Sequence, residues 1–145
     1  MRPLYHQPDL AMLVLRVMVA IVGIYHGSQK LFGLFGGPGL KGFSSFLESI
    51  DVPMPMVSAV MAGGAECFGG LLVGIGLLTR FAAIPFLVAM VVAIAKVHPG
   101  AFSLQNNGME YALTIAAILL AIALAGPGRF SVDALVLKRW APSLA

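Results

Sequence analysis

Four stretches of the chain run apolar without the regular polar interruptions that a half-buried surface helix shows: about Leu10 to Phe32, Met54 to Leu78, Phe81 to Val97 and Met109 to Ala125. Each has the length of a helix that crosses a bilayer, which takes about 20 residues with a range near 17–25. Punctuation agrees with these bounds. Pro8-Asp9 opens the first, "DVPMP" precedes the second, "HPG" closes the third and "GPG" closes the fourth. The two-residue link Thr79-Arg80 between spans two and three is too short for anything except an antiparallel hairpin.

The segment between spans one and two has a different pattern. After a glycine cluster, Leu40, Phe43, Leu47 and Ile50 recur at helical spacing, with Lys41, Ser44, Ser45 and Glu48 between them. That periodicity predicts a short amphipathic helix lying at the membrane interface. A lid over a site between the spans is the other role such a helix could take. The expected fold class is therefore all-α: an integral membrane four-transmembrane-helix antiparallel bundle with a short interfacial amphipathic helix, forming a single domain over residues 1–145.

Composition strengthens the membrane assignment. Residues of the hydrophobic class make up 59% of the chain and mean hydropathy is +0.95, whereas soluble domains carry about 45–50% apolar residues. A chain of 145 residues cannot hide that surplus inside itself, so it must face lipid. The N-terminal "MRPLYHQPDL" leads into an apolar run too long for a signal-peptide core, so the first helix is expected to be retained. The net charge of +3 comes mostly from residues at span ends. With four spans, Arg2, Arg80, Arg129, Lys138 and Arg139 share one side, and Lys30, Lys41 and Lys96 share the other. Five against three places both termini in the cytoplasm. No basic run of the kind that binds nucleic acid occurs. Cys67 is the single cysteine, which excludes an internal disulfide and a CxxC redox pair; within an apolar span it reads as a small core residue.

Charged groups within spans are costly, at least about 2.5–3.5 kcal/mol for a central Arg, Lys or Asp. Arg16 and His26 lie within span one and Glu66 within span two; Lys30 follows His26 by one turn. At 100° per residue, Arg16, His26 and Lys30 fall within an arc of about 80°. Lys96 and His98 close span three, and Glu110 and Tyr111 open span four. The hairpin topology brings Lys30, Lys96, His98 and Glu110 to the same end of the bundle, with His26 a turn deeper and Glu66 deeper again. Two readings stand. In the structural one, Arg16 snorkels or pairs with Glu66, the lysines anchor the interface and His26 bonds a backbone carbonyl. In the functional one, Arg16, His26, Lys30, Glu66, Lys96, His98 and Glu110 form a polar pocket. Gly23 and Gly27, with Gly70 and Gly74, make two GxxxG pairs that serve tight packing within the chain or a homodimer seam.

Several chemistries lack their signatures. No HxxxH or CxxC spacing supports a metal site, and two nearby lysines would repel a cation. No GxSxG, Walker or Rossmann pattern occurs. Cationic donors beside one or two carboxylates, open to the bilayer, suit a lipophilic molecule with carbonyl oxygens such as a quinone. His and Lys would donate to its reduced oxygens, and a Glu would relay protons.

"LRVMVAIVGIYHGSQKLFG", "GGAECFGGLLVGIGLLTRFAA", "MVVAIAKVHPG" and "GMEYALTIAAILLAIALAGPGRFSVDA" together resemble the DoxX family of small four-helix bacterial membrane proteins, from Arg16 to about Asp133. The resemblance implies residence in the bacterial cytoplasmic membrane. It also implies a link to quinone redox chemistry: related DoxD-type proteins are associated with thiosulfate:quinone oxidoreduction, and other DoxX proteins with membrane complexes that defend against oxidative stress. Arg16, His26, Lys30, Glu66, Lys96, His98 and Glu110 are the positions that match the family's polar pattern. No redox-cofactor ligands are evident here, so a quinone-facing subunit would need a partner, soluble or membrane-bound, that holds a flavin, thiol or metal centre. Two other functions remain open: a non-catalytic binding or assembly protein that holds a lipid or a partner's helix, and a proton-coupled carrier using Glu66.

Overall fold

A computed structural model describes residues 7–140, with side chains through Val136. Arg2 and the side chains of Lys138 and Arg139, counted above toward orientation, lie outside that description. The described chain is all-helical and contains no strand. Helix α1 spans Pro8–Phe32, α2 Gly39–Ser49, α3 Pro55–Ile75, α4 Thr79–Lys96, α5 Glu110–Ala125 and α6 Val132–Trp140. Three of them, α1, α3 and α4, are long and apolar enough to cross a membrane. The fourth apolar helix, α5, has 16 residues, about 24 Å at 1.5 Å per residue.

Local sequence explains most helix limits. Pro8 and Pro55 sit in the first turns of α1 and α3, where a missing N–H costs nothing. Gly33 ends α1 at φ 69° and Gly76 ends α3 at φ 74°, left-handed conformations that glycine adopts without strain. The hairpin link is three residues, Gly76 to Leu78, and α4 already begins at Thr79. The expected Thr79-Arg80 link therefore shifts. The reason is non-local: Asp133 accepts hydrogen bonds from the Leu78 and Thr79 amides, at 2.8 and 3.0 Å, and from the Thr79 hydroxyl at 2.9 Å. A carboxylate 54 residues away in sequence caps α4.

Helix α1 packs along α3, α3 along α4, α4 along α5, and α5 returns to α1. Val19, Val73, Ala83, Phe86, Leu119 and Ile122, contributed by all four helices, are buried where they meet. Outward faces are strongly apolar: Phe81 is 75% and Leu124 72% exposed. Apolar surface so extensive marks a lipid-facing protein.

The glycine pairs are used inside the chain. A β-carbon at Gly23 would stand 2.6 Å from the Glu66 carbonyl oxygen, and one at Gly27 would collide with the backbone of Cys67. One at Gly74 would stand 2.6 Å from the Ala20 side chain. These glycines bring α1 and α3 to near backbone contact, the role that small residues serve where lipid gives no hydrophobic drive. The Gly23, Gly27, Gly70 and Gly74 faces thus meet each other's helices within the chain.

Helix α2 matches the expected amphipathic segment. Leu47 is buried, Lys41 and Glu48 are exposed, and Ser44, expected on the polar side, is buried as well. It packs against both α1 and α3.

Candidate functional site

Close packing of α1 on α3 sets the site's first element. Lys30, near the end of α1, and Glu66, in the middle of α3, form an ion pair in which the ammonium donates to both carboxylate oxygens, at 2.5 Å to Oε2. The Lys30 side chain is 25% exposed and that of Glu66 3%. Phe43 of α2 lies under the ammonium, 5.3 Å from nitrogen to ring centroid. Charge, counter-charge and aromatic face thus come from three helices. In a lipid-facing bundle such a pair is held far more firmly than on a wet surface.

His26 stands one turn before Lys30 and is half-buried. Its Nδ1 lies 3.1 Å from Gln29 Oε1. The Gln29 amide nitrogen donates to the Phe35 carbonyl at 3.3 Å, which identifies Oε1 as the acceptor. Nδ1 therefore carries the proton, and in the neutral ring Nε2 is an acceptor. His98, after α4, repeats the arrangement: its Nδ1 faces the Asn107 carbonyl oxygen at 2.8 Å, so Nε2 is again the acceptor. Neither Nε2 has a hydrogen-bond partner among the described residues. Two histidines are thus oriented by their neighbours into the same tautomer.

These groups border a common space. A cavity of about 190 Å³ is lined by His26, Lys30, Glu66, His98 and Tyr111, with Phe86 and Met90 on its apolar side. The Tyr111 and His26 rings meet edge to face at 5.8 Å. The donors here are Lys30 and the Tyr111 hydroxyl; the acceptors are Glu66 and the two imidazoles. Among the described residues, no group of His, Cys, Asp and Glu is arranged to hold a metal ion.

The seven residues singled out from the sequence divide three ways. His26, Lys30, Glu66 and His98 are brought together. Lys96 and Glu110 lie near this end without lining the cavity: Lys96 is exposed, and Glu110 Oε1 accepts the Leu104 amide at 2.6 Å, fixing the loop before α5. Arg16 sits at the other end of the bundle, only 1% exposed. Its guanidinium donates to the carbonyls of Val73, Gly74, Pro127 and Phe130 at 2.5–3.0 Å, so it neither snorkels nor pairs with Glu66. The helical wheel set Arg16 beside His26 because it ignores rise; ten residues of α1 separate them by about 15 Å. Sequence reasoning missed Gln29 and the place of Tyr111 on the cavity wall. Gln29 was findable as a polar residue three positions after His26. For Tyr111, only the rotation of α5 against α1 decides.

Comparison with known proteins agrees with this architecture. The family model for DoxX matches residues 11–99. "Uncharacterized membrane protein Rv3486" of Mycobacterium tuberculosis is 34% identical over 95% of this chain and 88% of its own length. "Inner membrane protein YqjF" of Escherichia coli is 31% identical, covering 91% and 96%. "Putative oxidoreductase CatD" of Bacillus subtilis is 32% identical, covering 90% of each. No solved structure matches. Helices of this length and apolarity, and a family match over most of the chain, lead to one assignment: the chain is a membrane protein and belongs to the DoxX family.

Proposed function

We propose that the chain is a quinone-interacting subunit of an inner-membrane oxidoreductase system. The observation that carries this is the Lys30–Glu66 pair bordering a cavity that His26 and His98 also line. A quinone carbonyl accepts from Lys30, and a quinol hydroxyl donates to an imidazole. The site thus has a partner for each redox state. Quinone reduction takes up two electrons and two protons. Protons pass through His26 and Glu66, and electrons come from a flavin, thiol or metal centre on a partner protein. The name "oxidoreductase" borne by the CatD relative supports the class of reaction.

In this reading residues 1–145 form one membrane domain. Helices α1, α3, α4 and α5 all cross the bilayer as an antiparallel bundle, and α2 lies at the interface over the site. Helix α5, at about 24 Å, crosses with local thinning of the bilayer. The termini are cytoplasmic, on the charge asymmetry of the loops.

Purified protein carrying His26→Ala or Lys30→Ala is expected to bind a ubiquinone or menaquinone analogue about tenfold more weakly, the loss of one good hydrogen bond to a charged or polar partner. Titration of the analogue against each variant checks this. Unchanged affinity in both would remove these residues from the site.

A further inference from the structure

The polar cavity continues into apolar space. A second cavity of about 290 Å³ shares Lys30, Glu66, Ala93 and His98 with it and extends beneath Phe43 and Leu47 of α2. A groove of about 400 Å³ between α3 and α4 shares Leu47, Ala62, Ala89 and Val92 with that second cavity. Lining residues common to each neighbouring pair set the three side by side, in a row from the Lys30–Glu66 pair to the bundle's side.

The path changes character along its length. Ala62 and Ala65 on α3 and Ala89 on α4 leave the groove open because their side chains are short. Pro85, inside α4, withholds an N–H from the helix, and here its ring contributes only carbon to the wall. Ser58 is the one polar side chain lining the groove, and its hydroxyl already donates to the Pro53 carbonyl at 2.8 Å. Among the described side chains the groove therefore offers no free donor to a polar group. Met61, Val88 and Val92 on its rim are exposed on the lipid-facing surface.

From this gradient we infer that the site takes a long-tailed lipid, its polar ring at Lys30 and Glu66 and its chain running under α2 and out between α3 and α4. The inference rests on the quinone reading above and adds where the prenyl or alkyl chain of such a quinone runs. Adjacency of the groove to the ion-pair cavity favours that occupant over a surrounding phospholipid, whose anionic phosphate would meet the Glu66 carboxylate at the polar end.

Two probes with one ring separate the possibilities in full-length protein held in phospholipid nanodiscs: a tail-less dimethoxy-methyl-benzoquinone, and the same ring with a ten-carbon chain. Ala65→Leu narrows the groove at a residue that lines neither of the two cavities at the ion pair. It is expected to weaken the tailed probe about tenfold, a steric loss of the size that overpacking produces, and to leave the tail-less probe within about twofold. Val88→Trp, on the exposed rim, repeats the test without touching the packed interior. A photoreactive diazirine at the chain's end is expected to label Met61 or Val88. Equal response of both probes to both variants, or label confined to α1 and α5, would overturn the tail path while leaving the quinone site standing. Failure of both probes to bind the wild-type protein would overturn the quinone site and the tail path with it.

Discussion

The two ends of the helix bundle each hold a cation between packed helices, and they treat it in opposite ways. At one end Arg16 spends its donors on four backbone carbonyls, from the C-terminal part of α3 and from the α5–α6 connection. Asp133 caps α4 close by, and Asp9 accepts the Arg129 amide at 2.9 Å, tying α1 to the same connection. Every partner is a fixed part of the chain. At the other end Lys30 meets a single carboxylate, and cavities lie along both groups. A saturated cation holds helices together, whereas a cation with open space beside it can exchange partners. The difference separates structural from functional polar groups more sharply than burial alone, since Arg16 and Glu66 are about equally hidden.

Breaking the saturated end should cost most. Arg16→Leu leaves four carbonyls without a charged donor, and each buried bond of this kind contributes about 1.5–3 kcal/mol. Loss of folded, monodisperse protein on size-exclusion chromatography is the expected result. Full recovery with an unchanged melting temperature would erase the contrast between the ends.

The open end breaks differently. Lys30→Met alone leaves Glu66 as an uncompensated buried charge and should destabilise by about 3–5 kcal/mol, and Glu66→Gln, which strands the partly exposed Lys30, should cost less. Combining the two removes the charge altogether and should restore most of the melting temperature. The double variant should still bind quinone analogue at least about tenfold more weakly, because both ring partners are gone. Recovery of binding along with stability would make the pair a structural bridge like Arg16.

The smallest effect sharpens the boundary of the site. Lys96→Ala and Glu110→Gln alter charges at the same end that do not line the cavity. Analogue affinity within about twofold of wild type is expected for both, the range of surface charges acting through screened fields. A loss comparable to that of Lys30→Ala would extend the site to the loop before α5.

Much of this was legible because lipid imposes a simple rule: backbone groups satisfy themselves in helices, and side chains facing out are apolar. The runs ending at Phe32, Val97 and Ala125 became α1, α4 and α5 within two residues, and Leu47 marked the inner face of α2. The helix α6 was not anticipated, although Ser131 carries a cap signal: its hydroxyl accepts the Ala134 amide at 3.1 Å. His26, Lys30 and Glu66 stood out because ionisable groups in apolar runs are expensive wherever they fall.

The sequence by itself determined that this protein is a helical membrane protein and that a few charges within it needed partners. Which partner each charge received was decided only by tertiary structure. A pattern along one helix fixes angle and depth within that helix, but pairing depends on how closely two helices approach and how each is rotated. Gly23 and Gly27 let α1 meet α3 closely enough for Lys30 to reach Glu66, while about 15 Å of the same helix carried Arg16 to the opposite end.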